Sequence, residues 1–389
     1  MEQVVEAHFQ EYSEKPDIVV MAPGRFHLIG EHTWYFKDKT LSMAVNIPVY
    51  IAASVRNDSS LRFYYPQIDD KRKSNVTTCK FKKEDRWANV LKAIIVGFSE
   101  SGFVPKGLNI TLWTDVPPNS GFGITTAIKV ATALVVKNLF FPTCGDNIVI
   151  QAIERGNKYF LNVGNYIADI YTCLFAEENS FLLTDHLKNT HTAIPFSFED
   201  FKILLTDAKV PRISMWSEDS VFTAENFLLM AELKRQKNGY WIYEESSTEV
   251  TDVLSVVPEN FRRKLSCLIK EHKRVLEAVN AIQTNNFSKF ARVVNDSHDD
   301  MRDLYDISCP EIEWIVKRIN ELEPNLEHLR NPVTCGRLTG KGYGRCIYAI
   351  MRDVDYDNYL QKLVEFEKIF GFHPATFEVE CADGASIVV

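Results

Sequence analysis

Apolar residues recur at two different spacings along this chain, and the spacing switches from segment to segment. Trp87, Val90, Leu91, Ile94, Ile95 and Phe98 fall three and four residues apart, which predicts a helix with one buried face, and Asp85 stands where an N-cap belongs. Residues 108 to 113 alternate as a half-buried strand does. An apolar stretch over 124–140 predicts a largely buried helix, and a further helix is expected over about 147–162. Strand-like runs at 181–184 and 203–206 flank a polar segment, 185–200. Amphipathic helices then dominate, at 223–237, 259–283, 287–296 and 310–321. An apolar strand at 346–351, a helix near 354–369 and a last strand near 375–381 close the chain. Near the start, the apolar run 18–22 meets Pro23-Gly24, so the expectation is a strand that stops there and a chain that bends.

This interleaving indicates a mixed α+β fold. At 389 residues the chain is long enough for two substantial cores. No repeat, low-complexity tract or linker marks a boundary, and the division is placed near residue 190, giving an N-terminal domain of 1–190 and a C-terminal domain of 191–389. Hydrophobic content of 46% and charged content of 25% are those of an ordinary globular protein. Net charge is −8 with both signs mixed along the chain, so a nucleic-acid surface is not expected and a phosphate site must rely on local dipoles and a few cations. The first residues lack the basic-then-apolar order of a signal peptide, and no apolar run approaches the roughly 18 residues of a membrane span. Eight scattered cysteines without a Cys-x-x-Cys pair are expected to be reduced thiols of a cytoplasmic protein, not metal ligands.

Candidate chemistry gathers in a few segments. Arg25, Glu31 and His32 follow the Pro-Gly turn, where they either bind a polar small molecule or form a surface ion pair. The sequence from Pro117 to Thr126 joins a strand to a helix with small residues. There the backbone N–H groups and the helix dipole suit an anion, although a plain turn with threonine caps fits equally. Asp169 stands among apolar neighbours, an environment that raises a carboxylate towards useful base strength, unless it is a buried cap or ion-pair residue. A third glycine-rich segment, Gly340 to Gly344, precedes an apolar strand.

Residues 21–33, Met-Ala-Pro-Gly-Arg-Phe-His-Leu-Ile-Gly-Glu-His-Thr, resemble the galactokinase signature Ala-Pro-Gly-Arg-x-Asn-Leu-Ile-Gly-Glu-His-Thr-Asp-Tyr. His27 replaces its Asn, and Trp34 replaces the Asp that holds sugar hydroxyls. The loop before residue 124 resembles the second motif of the GHMP kinases, Pro-x-Gly-x-Gly-Leu-x-Ser-Ser-Ala. Here Asn119 replaces a glycine, Ile124 replaces a serine, and Thr125 falls at a serine. Residues 164–171 resemble Cys-Gly-Ile-Met-Asp-Gln around Asp169. Residues 340–346 resemble Thr-Gly-x-Gly-Phe-Gly-Gly-Cys, with Lys341 and Arg345 as added cations near where anionic oxygens sit. Residues 86–92 resemble a segment whose Trp lies by the adenine, although Trp87 serves equally as a core residue on spacing alone. Residues 297–311 are close to a galactokinase-specific segment in which His298 is expected to be structural.

The resemblance runs from about residue 18 to the end of the chain. It implies a two-domain α+β architecture of GHMP-kinase type, with the active site in the cleft between domains. It implies an ATP-dependent sugar kinase acting on the anomeric hydroxyl of galactose or a related sugar, with Asp169 and Arg25 as the catalytic pair. Glu31, His32, Trp34 and Asp219 are the implied sugar contacts, Asp219 falling where galactokinases have a Tyr. Trp87, Asn119, Ser120, Gly121, Phe122, Gly123, Thr125 and Thr126 are the implied ATP contacts. Mg²⁺ is implied as well, held in part by Thr125 but weakly, because Asn157 stands where galactokinases place a Glu associated with the metal. The expected partners are the sugar and ATP alone, with no nucleic acid or membrane, in a monomer. Since the departures fall on the phosphate and metal side, a catalytically weakened sugar- or nucleotide-binding sensor is the alternative.

Overall fold

The computed structural model describes residues 1–33, 37–117, 120–211, 254–255, 257–322, 331–340 and 345–389. The helix expected over 223–237 lies outside them. Two sheets organise the described chain. The larger runs β12 (Ser386–Ile387), β1 (Ile18–Ile29), β2 (Lys39–Val55), β5 (Leu108–Thr114), β3 (Ser60–Tyr65) and β4 (Asp70–Asn75), with β6 (Ser180–Asp185) pairing β2, and β7 (Thr190–Pro195) pairing β6. The smaller runs β11 (Ala375–Val379), β8 (Phe201–Asp207), β10 (Cys346–Arg352) and β9 (Cys335–Leu338). All pairings are antiparallel apart from β3 with β5.

The strand beginning at Ile18 does not stop at Pro23-Gly24, as the sequence led us to expect. It continues to Ile29 through a register shift between Pro23 and Gly24, where Pro23 faces Pro48 of β2. Neither proline has an N–H to donate, so the pairing loosens and the sheet bends without ending. Gly24 is required at this bend. A Cβ there would lie 3.0 Å from the carbonyl oxygens of both Ile47 and Phe122. The bend redirects the second half of β1, which carries Arg25 and His27, towards the helices.

Those helices are α2 (Ala88–Glu100), α3 (Ile124–Phe140), α4 (Asp146–Arg155) and α5 (Ile167–Phe175). The helices α3 and α5 pack on β1 and β2, while α2 lies against α3 and α4. On the other face, α1 (Glu2–Tyr12) covers β2 and β5, and buried His8 bonds Thr111 at 3.0 Å and Ser54 at 3.1 Å. That cover explains why β5 is buried along both faces and not half-buried. Asp85 does not cap α2. It sits in the preceding turn, paired with the buried ammonium of Lys92.

The smaller sheet packs with α6 (Glu259–Gln283), α7 (Phe287–Asp303), α8 (Pro310–Asn320) and α9 (Tyr356–Phe370). One core cluster runs from the larger sheet into Tyr348, Ile350 and Val379 of the smaller, so the two sheets share buried apolar surface. The hairpin β6–β7 spans residue 190, and β12 returns from near the chain's end to the larger sheet. The division into 1–190 and 191–389 is kept as a proposal. All eight cysteines are free thiols, five of them buried. Among the described residues no helix is long and apolar enough to cross a membrane.

Candidate active site

Arg25 and His27 leave the same face of β1, and both reach Asp169 in the first turn of α5. Arg25 Nη2 lies 2.5 Å from Asp169 Oδ2, and His27 Nε2 lies 2.7 Å from Oδ1. The Thr126 hydroxyl, from the first turn of α3, donates to Oδ2 at 3.3 Å. Three elements therefore converge on one carboxylate whose side chain keeps only 14% of its exposure. Burial by itself would raise the Asp169 pKa. The charge of Arg25 and the hydrogen bonds from His27 and Arg25 overcome that and hold the carboxyl well below its ordinary value. This corrects the expectation of a raised pKa: the apolar neighbours are there, but the cation beside them decides the sign.

The glycine-rich loop is stitched to the same strand. The backbone N–H of Arg25 donates to Phe122 O at 2.8 Å, and Arg25 Nη1 faces Gly121 O at 3.5 Å. Gly123 has φ 82° and serves as the N-cap of α3. A Cβ on it would lie 2.8 Å from the Arg25 side chain, so only glycine lets the arginine lie against the loop. Ser120 and Phe122 are buried beneath, the former through a contact of its carbonyl with the Cys346 thiol. Thr125 is exposed at the helix start. Thr126 N and Ala127 N donate to Gly123 O, so the helix offers an anion chiefly its dipole, beside Thr126, whose hydroxyl meets Asp169. Asn119 lies outside the described residues.

Trp87 packs its ring edge-on to Tyr65 at 5.4 Å and donates from Nε1 to Asp70 at 2.9 Å. The turn following β3 is pinned to the strand that enters the glycine loop, because Gln67 bonds the backbone of Thr114 in both directions at 2.8 Å. Trp87 thus belongs to a wall fixed relative to the loop. Its position is compatible with a base-binding role and with a packing role alike.

Glu31 and His32 are buried, with 2% and 1% exposure. Both Glu31 oxygens bind the fully buried Arg337 of β9, at 2.7 and 3.0 Å, and Arg337 also bonds Glu271 of α6 and Ser297 of α7. Burial would raise the Glu31 pKa, but the Arg337 charge lowers it below its usual value. Sequence reasoning did not foresee this clasp, and a lone arginine in the apolar strand β9 is the signal that pointed to it. His32 stacks near Tyr305 at 4.9 Å. Trp34 and Asp219, the other implied sugar contacts, lie outside the described residues. His298 is buried, accepts from Leu338 N at 3.3 Å and meets Glu313 at 3.0 Å, which ties α7 to β9 and α8 as a structural residue does.

Two further expectations meet the structure. Arg345 was expected as a cation near the phosphates. Its guanidinium pairs with buried Asp207 of β8, with Nε 3.0 Å from Oδ1; Lys341 lies outside the described residues. Asn157, in the π-helical turn Gly156–Leu161 that follows α4, stands where a metal-associated carboxylate is implied. Its Oδ1 accepts from Lys129 Nζ at 2.5 Å, and its Nδ2 donates to Asn165 Oδ1 at 2.9 Å. A hard divalent ion needs oxygen donors, preferably carboxylates, and an ammonium bound to the same oxygen repels it. Among the described residues no group of three or more His, Cys, Asp or Glu is placed to hold a metal. At the Asn157 position the described residues do not fit a protein-held Mg²⁺.

Comparison with known proteins agrees with this geometry. Residues 6–55 match the galactokinase galactose-binding signature, and residues 88–177 match the N-terminal domain of the GHMP kinases. The chain is 38% identical over 398 residues to a putative galactokinase of Treponema pallidum, covering 100% of this chain and 97% of that relative. It is 26% identical over 383 residues to the galactokinase of Clostridium beijerinckii, covering 96% and 95%. Among solved structures, Lactococcus lactis galactokinase complexed with galactose superposes with a TM-score of 0.86 at 19% identity, covering 99% of both chains. The Methanococcus jannaschii mevalonate kinase gives 0.63 at 14% identity, covering 94% and 98%.

Proposed function

The chain belongs to the galactokinase family of GHMP kinases, and on that premise we propose that it passes the γ-phosphoryl group of ATP to the anomeric hydroxyl of galactose or a related sugar. The observation that carries this reading is the Arg25–Asp169 contact beside the N-terminus of α3. Phosphoryl transfer asks little covalent chemistry of the protein; it needs the hydroxyl aligned with the phosphorus and the phosphate charge balanced. Asp169, held ionised, accepts a hydrogen bond from the sugar hydroxyl and orients its lone pair. With so low a pKa it is a weak base, so it takes the proton as the new P–O bond forms, when the hydroxyl has become acidic. Arg25 fixes Asp169 and offers charge to the γ-phosphate. The glycine loop and the first turn of α3, with Thr125 and Thr126, receive the remaining phosphate oxygens.

Glu31 and His32 are assigned to the sugar side, where the Arg337 clasp sets the position of Glu31. No observation favours the sensor alternative, since Arg25 and Asp169 are both present and in contact. The test is ADP formation over a panel of hexoses and uronic acids, with the product identified by ³¹P and ¹³C NMR. A sugar 1-phosphate is expected. A phosphate at another carbon, or ADP release that ignores the sugar, overturns the reading.

A further inference from the structure

Asp207 ends β8 with no exposed side-chain surface, yet it meets two cations that keep some of theirs. Arg345 Nε lies 3.0 Å from Oδ1 and Nη2 donates to Oδ2 at 3.1 Å, while Lys209 Nζ donates to Oδ2 at 2.6 Å. One positive charge balances a buried carboxylate, so the other is surplus, in a chain whose net charge is −8. The two cationic side chains remain 20% and 37% exposed. Among the described residues, Asp207 leaves Nη1 of the guanidinium and two hydrogens of the ammonium unused.

The sheet sets where that charge stands. Asp207 pairs directly with Cys346 of β10, and opposed residues of an antiparallel pair project from one face, about 5 Å apart. Leu205 and Tyr348, two residues further along each strand, lie in the core shared with the larger sheet, so that face is turned towards it. The glycine loop rests there. The Cys346 thiol meets Ser120 O, a Cβ on Gly121 would lie 2.5 Å from the same sulfur, and Phe122 packs edge-on to Phe377 of β11 at 5.9 Å. Arg25, which holds Asp169, faces the same loop through Gly121 O at 3.5 Å. Gly121 therefore lies between Arg25 and Cys346, at the Asp169 end of the loop.

We propose that Arg345 and Lys209, braced on Asp207, bind the oxygens of the transferred phosphoryl group from the side of the glycine loop opposite Arg25. The inference rests on the kinase reading and goes further, naming two cations that serve it; residue 345 is a glycine in the motif this segment resembles. Each cation has a defined part. The guanidinium offers paired donors in a rigid fork, and the ammonium is a compact point charge. Asp207 fixes both without cancelling both.

The test is calorimetric titration of the full chain, in excess Mg²⁺, with a non-hydrolysable ATP analogue and with ADP, which lacks the transferred group. Lys209→Met and Arg345→Gln should each weaken binding of the analogue about tenfold, the loss of a hydrogen bond to a charged group, while ADP binding stays within about twofold. Arg345→Lys keeps the charge and should keep most of the affinity. Lys209→Glu should lose more than Lys209→Met, because repulsion replaces attraction. A cluster that only braces the end of the sheet would move ADP and the analogue together. If Arg345→Gln does not fold, as judged by thermal melting, the variants of the more exposed Lys209 decide. Unchanged affinity for the analogue in folded Lys209→Met and Lys209→Glu overturns the inference and leaves the kinase reading intact. So does a loss shared equally by ADP. Wild-type protein that binds neither nucleotide overturns both.

Discussion

His27 donates a hydrogen bond to Asp169, with Nε2 2.7 Å from Oδ1. The direction follows from charge: an ionised carboxylate only accepts, so the hydrogen of this bond sits on Nε2. Galactokinases carry Asn at this position of the signature, so in this chain a ring takes part in fixing the Asp169 carboxylate. The His27 bond helps to hold the Asp169 pKa down, alongside the larger effect of Arg25.

The consequence is a shift in pH dependence. On the proposed mechanism activity requires ionised Asp169, so it is present above the Asp169 pKa and lost as pH falls through it. Replacing His27 by Phe, a ring with no donor, removes a hydrogen bond to the charged form and raises that pKa. The acid limb of kcat/KM for His27→Phe should therefore move to higher pH, with activity near pH 7.5 retained within about tenfold, the range of a single lost contact. A limb that stays where it is in the wild type rules out a tuning role for His27.

On the proposed mechanism Asp169 carries both turnover and stability. Asp169→Ala should lower kcat by about two to four orders of magnitude. It also leaves the Arg25 guanidinium largely buried without its partner, and breaking a buried pair costs about 3–5 kcal/mol. Thermal melting of Asp169→Ala beside Asp169→Asn separates the two effects, because the amide keeps the shape and an acceptor. Full activity in either variant removes Asp169 from the mechanism.

How much of this was open to a reader of the sequence follows from what is local and what is not. Buried helices such as α3 and strands such as β8 announce themselves by spacing. The strands β7 and β12 do not, being short and largely exposed. The Pro-Gly pair reads locally as a stop, and only the facing Pro48, 25 residues on, makes it a bend. Asp169 was legible as a site residue, but the sign of its pKa shift was not: Arg25 and His27 come from 144 and 142 residues upstream, and no window around Asp169 contains them. The Lys129–Asn157 bond is hidden in the same way, since the two residues lie 28 positions apart.

Acid should weaken the fold well above the usual carboxylate range, through two histidines. Burial lowers the pKa of His8, on the buried face of α1, to about 4, and burial likewise lowers that of His186, bonded to Thr40 at 2.9 Å, to about 4. Both are lowered from 6.5, so the unfolded chain binds more protons than the folded one between pH 6.5 and 4. The stabilising effect of keeping them neutral is full above 6.5 and is lost as pH falls through that window. Each histidine contributes at most on the order of 3 kcal/mol. His8→Gln should flatten the fall in melting temperature between pH 7.5 and 5, whatever it does to stability at neutral pH. An unchanged slope shows that His8 does not titrate in this window.

The sugar itself should depart from plain galactose, and Trp34 is the reason. The Thr33 hydroxyl donates to Gly30 O at 2.8 Å in the turn that carries Glu31 and His32, and Trp34 is the next residue in the sequence. Galactokinases place there an Asp that accepts from ring hydroxyls. Tryptophan has one N–H donor and no acceptor, and it offers an apolar face to stack on a sugar ring. A hydroxyl that loses its acceptor on entering a buried site discriminates by one or more orders of magnitude. We therefore expect kcat/KM for galactose to lie about tenfold or more below that of the preferred sugar in a panel of epimers, deoxy sugars and uronic acids. Trp34→Asp should narrow or reverse that ratio, alone or with Asp219→Tyr. If galactose is turned over as well as any other sugar tested, the substitution at residue 34 does not set specificity, and the acceptor for the ring hydroxyls must come from elsewhere in the pocket.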